Sequence, residues 1–268
     1  MDGTTREWAR IAPHEMLIAT ASQASVAPLD WHQGLGVMLG RGSVATTAKL
    51  LDGAVGAAFA APAATTPQLT LTRWAFRLAG MYHLTHSTAP LMDEAARRFG
   101  AVGRRELATW AEDKAHEEHA HDRLALKDLT ALGYHAEALV RELVPTTAAR
   151  LLAFFTGTVK ALDPIGCVGY SYALERLATT VGEDDIRRVE ALLPAGTRAT
   201  RCLRVHSAVG GDALHARETV DLVARLSGPE RTQVAVACHR AARLCFEAPP
   251  EGHPTDQAIE SVLCRHRL

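Results

Sequence analysis

Residues 117–129 read Glu-Glu-His-Ala-His-Asp-Arg-Leu-Ala-Leu-Lys-Asp-Leu, a run crowded with side chains that bind metals. Glu118 and His121 are three positions apart. On one α-helix that spacing sets them about 60° apart on adjacent turns, where both can address a single ion. A second carboxylate-x-x-His pair follows at Asp212 and His215. Between the pairs, Glu175 stands alone in the apolar stretch Cys167–Ala178. An ionised carboxylate is almost never buried without a partner, and either a metal or the neighbouring Arg176 would compensate it. His206 precedes His215 by nine positions, about half a turn out of phase on an ideal helix. Local unwinding at Gly210-Gly211 would bring it back toward the other ligands, and such irregularities are frequent at functional sites. Two carboxylate-x-x-His pairs and an extra inward carboxylate follow the ligand logic of a two-metal centre inside a helical bundle. Mixed histidine and carboxylate ligands suit iron, manganese or zinc, with iron favoured where carboxylates dominate.

The elements that must carry these residues read as helices. Ala, Leu and Arg dominate the middle of the chain and strand-type alternation is scarce. The pattern predicts a helix over 71–99 interrupted near Pro90, one over 104–132 stopped by Gly133, and shorter ones over 135–143 and 147–162. It continues with an apolar helix over 165–181, a short one over 184–193, a long pattern over 197–226 broken at Gly210-Gly211, and a last clear helix over 229–246. Residues 1–68 are less regular: a helix is expected over 11–21, a Gly-rich loop over 30–43 and a helix end and linker over 54–67. The expected organisation is an N-terminal extension (1–68) packing on a helical metal-binding domain (69–247), followed by a tail (248–268). The fold class is all-α.

Composition narrows the function. The chain has 268 residues, is 47% apolar and carries a net charge of -1, so neither nucleic acid nor an anionic membrane is an expected partner. The longest apolar run, 54–64, is too short to span a bilayer and is broken by Pro62. Five cysteines at wide spacings contain no C-x-x-C, which argues against a disulfide framework or a structural zinc and for a reducing, cytoplasmic location. The N-terminus carries acidic charge and no apolar core of a secretory signal.

Residues 117–133 resemble the E-E-x-G-H-D-x-x-x-L-x-D-L-x-x-L-G signature of the haem-oxygenase-like di-iron oxidases, the iron-containing redox enzyme family. The helix through Gly166, Gly169 and Tyr172-Ala173-Leu174-Glu175 looks like that family's Gly-containing helix ending in Y-x-L-E. Asp212-x-x-His215 matches the end of its H-x-x-x-D-x-x-H helix. Carried over by position, the ligands would be Glu118, His121, Glu175, Asp212 and His215. The first histidine of the third motif would fall at Ala208, and His206 is the nearest substitute. Some members space the first pair as E-x-x-x-x-x-x-H, which Glu112 and His119 also satisfy.

The resemblance implies a haem-oxygenase-like bundle and two Fe(II) ions, the second labile. It implies O2 as co-substrate, a small-molecule substrate, an external electron donor and a homodimer. The reactions expected are N-oxygenation, oxidative C–C cleavage or rearrangement of an amino-acid-derived or fatty-acid-like molecule in natural-product biosynthesis. Tyr170, Tyr172 and Trp110 are candidates to line the pocket. Three rivals remain: a metal-independent enzyme of the same architecture (thiaminase-II-like, using Cys167, or pyrroloquinoline-quinone-synthase-like), a haem protein with His14 or His83 as ligand, and a non-catalytic metal-binding protein.

Overall fold

The computed structural model describes residues 42–60 and 67–268, except the side chains at 60, 212 and 213, and the backbone of two short strands. β1 (Ala9–Ile11) pairs antiparallel with β2 (His14–Met16), with Arg10 opposite Glu15. These strands stand where the helix expected over 11–21 would begin; the rest of that helix and most of the loop expected over 30–43 lie outside the described residues.

Residues 40–268 form one compact unit. Its helices are α1 (Val44–Ala60), α2 (Leu71–Ala101), α3 (Arg105–Glu117), α4 (Asp122–Ala131), α5 (Ala136–Glu142), α6 (Thr146–Lys160) and α7 (Gly166–Ala178). They continue with α8 (Glu183–Glu190), α9 (Arg201–Val205), α10 (Asp212–Ala224), α11 (Gly228–Phe246) and α12 (Asp256–Leu263). This unit is all-α. None of the helices described is long and apolar enough to cross a membrane.

Two apolar clusters fill the unit, and α2 runs through both. Trp74, Leu78 and Ala79 from its first half pack with α4, α5 and α12 residues such as Leu129, Leu139 and Ile259. Met92, Ala95 and Phe99 from its second half join Leu51 of α1, Ala111 of α3, Phe155 of α6, Val168 of α7 and Val234 of α11. At 31 residues α2 is about 46 Å long. Pro90 lies inside it without ending it. In the turns before Pro90, the Thr85 and Thr88 hydroxyls donate to the carbonyls of Met81 and Leu84. Hydroxyl-to-backbone bonds of this kind tend to bend a helix slightly, and the carbonyl that loses its helical donor to Pro90 is that of His86; core packing of both halves of α2 keeps it one helix.

At the centre, α7 is buried from Cys167 to Ala173 and packs on α11, while its last turn is half-buried. Gly169 permits that approach: a Cβ there would stand 2.1 Å from the Val234 carbonyl oxygen. Both α1 and α12 belong to the same compact unit, α1 through Leu51, Val55 and Ala58, α12 through Ile259 and Leu263.

Candidate metal centre

The helix expected over 104–132 is two helices. α3 ends at Glu117 and α4 begins at Asp122. The intervening residues form a tight break in which Ala120 has φ +66. Glu118 and His121 are therefore neighbours across a turn, not along a helix face. The His121 backbone N–H donates to the Glu118 carbonyl, and Nδ1 of the ring lies 3.2 Å from Glu118 Oε2.

The long pattern expected over 197–226 is also broken. α9 stops at Val205, residues 206–211 are non-helical and α10 starts at Asp212. The Ala208 N–H donates to the Val181 carbonyl, and Gly210 passes so close to Val205 that a Cβ would sit 1.9 Å from its carbonyl oxygen. This unwinding carries His206 to the α3–α4 break. His206 Nε2 stands 3.9 Å from Glu118 Oε2, and the His121 and His206 rings meet edge to face at 4.9 Å. One ligand atom each from Glu118, His121 and His206 lies within 4.8 Å of the other two. Among the described residues no other three histidine, cysteine or carboxylate side chains converge in this way. Donor atoms sharing one first-row metal stand about 3 Å apart, so small side-chain movements suffice for two histidines and one carboxylate to hold an ion. Burial pushes the Glu118 carboxyl up, but the hydrogen bond from His121 and the charges of His206, His121 and Lys114 outweigh it and hold Glu118 below its ordinary value.

Glu175 stands apart from this group, facing Lys114. The Lys114 ammonium, 4% exposed, lies 2.9 Å from Glu117 Oε2 and 3.2 Å from Glu175 Oε1. The Ser171 hydroxyl also donates to Glu175 Oε1, at 3.3 Å. Burial draws Lys114 down, yet Glu175 and Glu117 outweigh it and keep the ammonium above its ordinary value. His215 is half-buried on α10, with Nε2 3.5 Å from Glu117 Oε2. Asp212 opens α10, and its side chain lies outside the described residues.

Glu112 and His119 are exposed and join neither group. Asp122 pairs with His86, Oδ2 to Nδ1, at 2.8 Å. Sequence reasoning missed Lys114 and Glu117. A signal existed for Lys114: Leu107, Trp110, Ala111 and Lys114 recur at helical spacing and fall on the buried stripe of α3.

Beside the centre lies a cavity of about 430 Å3. Glu118, His206, Lys114 and Glu175 line it together with Met81, Leu84, Leu174, Leu177 and Phe246. Tyr170 also lines it and stacks on Phe155 at 4.1 Å. Tyr172 does not; its hydroxyl donates to Asp52 of α1 at 3.0 Å. Trp110 is buried in the core below α3. Arg77 is on the cavity wall too. The residue as a whole is solvent-exposed, and it makes no ion pair or hydrogen bond among the described residues.

The groups that the rivals would use have other surroundings. Cys167 is completely buried and burial pushes its thiol up, the opposite of an activated nucleophile. His83 Nε2 is 3.0 Å from the Leu143 carbonyl. The side chain of His14 lies outside the described residues.

No protein-family model and no curated protein sequence matches the chain. Among solved structures it is similar to a domain of unknown function with a haem-oxygenase-like fold from Shewanella denitrificans, at 15% identity and a TM-score of 0.58, over 89% of this chain and 94% of that one. The chain thus has the haem-oxygenase-like fold.

Proposed function

We propose that the protein is a non-haem iron oxygenase or oxidase that uses O2 to oxidise a small organic acid. The observation that carries this reading is the convergence of Glu118, His121 and His206 at the wall of a largely apolar cavity. Two histidines and one carboxylate with positions left open are the ligand set of iron(II) oxygenases. Iron(II) bound there would supply the activation of dioxygen. The chain's own residues do the rest. Glu118 holds negative charge toward the ion, and Met81, Leu84, Leu174, Leu177 and Phe246 exclude water and accept an apolar substrate body. Arg77 is free to take a carboxylate, which favours an amino-acid-derived or fatty-acid-like substrate. N-oxygenation, C–C cleavage and rearrangement remain within this class, and natural-product biosynthesis is the setting that the sequence resemblance implies.

Anaerobic iron(II) titration followed by oxygen uptake with a panel of medium-chain carboxylic and amino acids tests the proposal. Wild type is expected to bind iron and to consume oxygen faster with at least one acid. Glu118→Gln and His206→Ala are expected to stay folded and lose iron, whereas Arg77→Gln keeps iron and loses the acceleration by acids. Full iron content in both ligand variants would show the assignment to be wrong.

A further inference from the structure

The ligands carried over from the sequence resemblance call for two ions, and the two whose side chains are described at the second position, Glu175 and His215, lead to a lysine–glutamate pair, Lys114 with Glu117. Glu175 faces an ammonium group: Lys114 Nζ lies 3.2 Å from Glu175 Oε1 and 2.9 Å from Glu117 Oε2. His215 reaches the same place through Glu117, at 3.5 Å. Lys114 comes from the buried stripe of α3, its side chain is 4% exposed, and it shares the cavity wall with Glu118 and His206. A cation thus already occupies the space between the carboxylates. Placing a divalent ion beside it would set like charges together in a water-poor site, where their repulsion is strongest. Among the described side chains at this junction, Glu117 and Glu175 face the single ammonium of Lys114, and Glu118 with His121 and His206 remains for one ion.

We propose that the Lys114 ammonium permanently fills the second cation position, so that the protein holds one metal ion, at Glu118, His121 and His206, and not two. Lys114 is a positioning residue in this scheme. It holds Glu175 in the cavity wall and Glu117 beside it without touching the metal. The inference rests on the triad being a metal site.

The test is metal stoichiometry by anaerobic equilibrium dialysis against iron(II), with iron counted by elemental analysis and folding checked by circular dichroism. Wild type is expected to saturate at one iron per chain. Lys114→Glu, which exchanges the ammonium for a further ligand, is expected to take up a second. Lys114→Met, which removes the charge at similar volume, guards against a folding failure of the first variant and is expected to bind its second iron at least tenfold more tightly than wild type does. Two irons in wild type would overturn the inference while leaving the triad intact. One iron in every folded variant would overturn it as well. No iron in wild type would instead sink the metal reading beneath it.

Discussion

Ala120 is the only non-glycine residue with a positive φ among the described residues, at +66. The left-handed region costs an L-residue about 1–2 kcal/mol, which glycine avoids. The signature that residues 117–133 resemble carries glycine at this position, and the backbone supplies the reason: the chain must turn back on itself between Glu118 and His121. Replacing Ala120 with glycine is expected to raise stability by about 1 kcal/mol in urea denaturation, the relief of strain exceeding the added freedom of the unfolded chain. A loss of stability would mean that the break is not left-handed in solution. The same residues mark what the sequence revealed. The three-residue spacing of Glu118 and His121 picked out two side chains that the structure brings together, although through a turn where a helix was expected. Lys114 was overlooked because lysine is ordinarily a solvated residue; its place on the apolar stripe was visible, but not the carboxylates contributed by residues 117 and 175.

Among the elements, α9 is short, and a carboxylate from another helix secures it. Asp128 of α4 is fully buried; its Oδ2 accepts the Cys202 N–H at 2.9 Å and its Oδ1 the Arg201 guanidinium at 2.9 Å. Both donors lie at the start of α9, whose far end presents His206. Asp128 therefore couples the helix that follows His121 to the segment bearing His206. Asp128→Ala should cost about 1–3 kcal/mol, since it strands a buried N–H and an ion-pair partner. Calorimetry should also find weaker iron binding, with Asp128→Asn retaining part of both effects. Unchanged iron affinity in a destabilised Asp128→Ala protein would separate α9 from the site. Element boundaries were legible where glycine ends a helix: Gly133, at φ +86, closes α4 as its sequence position indicates. They were less legible at Pro90, where the packing of both halves of α2 into the core overrides the local helix-breaking tendency. His206 lay between these extremes. Its spacing was out of phase for a helix, and Gly210-Gly211 marked where the phase would be reset.

Across the described helical unit, two apolar clusters meet along α2, and Glu118, His121 and His206 gather where α3, from one cluster, gives way to α4, which contributes to the other. The all-α class followed from the helical periodicity of the sequence; the seam between clusters did not, because it depends on which helices pack together. One consequence concerns how the protein is made. Many metal centres cannot assemble before the ion arrives, since their clustered carboxylates repel one another, and chelators then unfold the protein. Here Lys114 balances part of that charge from within the chain. The fold should be complete before iron enters, and iron should come and go from a finished scaffold. Chelator-treated protein is expected to keep its helical circular dichroism and to melt cooperatively. Iron(II) at a hundred times its dissociation constant should add about 2.7 kcal/mol, a rise of roughly 5–10 °C in Tm. Collapse of the helical signal on chelation would show that the ion is part of the scaffold. On the iron reading proposed above, a chain that folds unaided would be loaded according to iron supply, and the loaded fraction would follow the available iron.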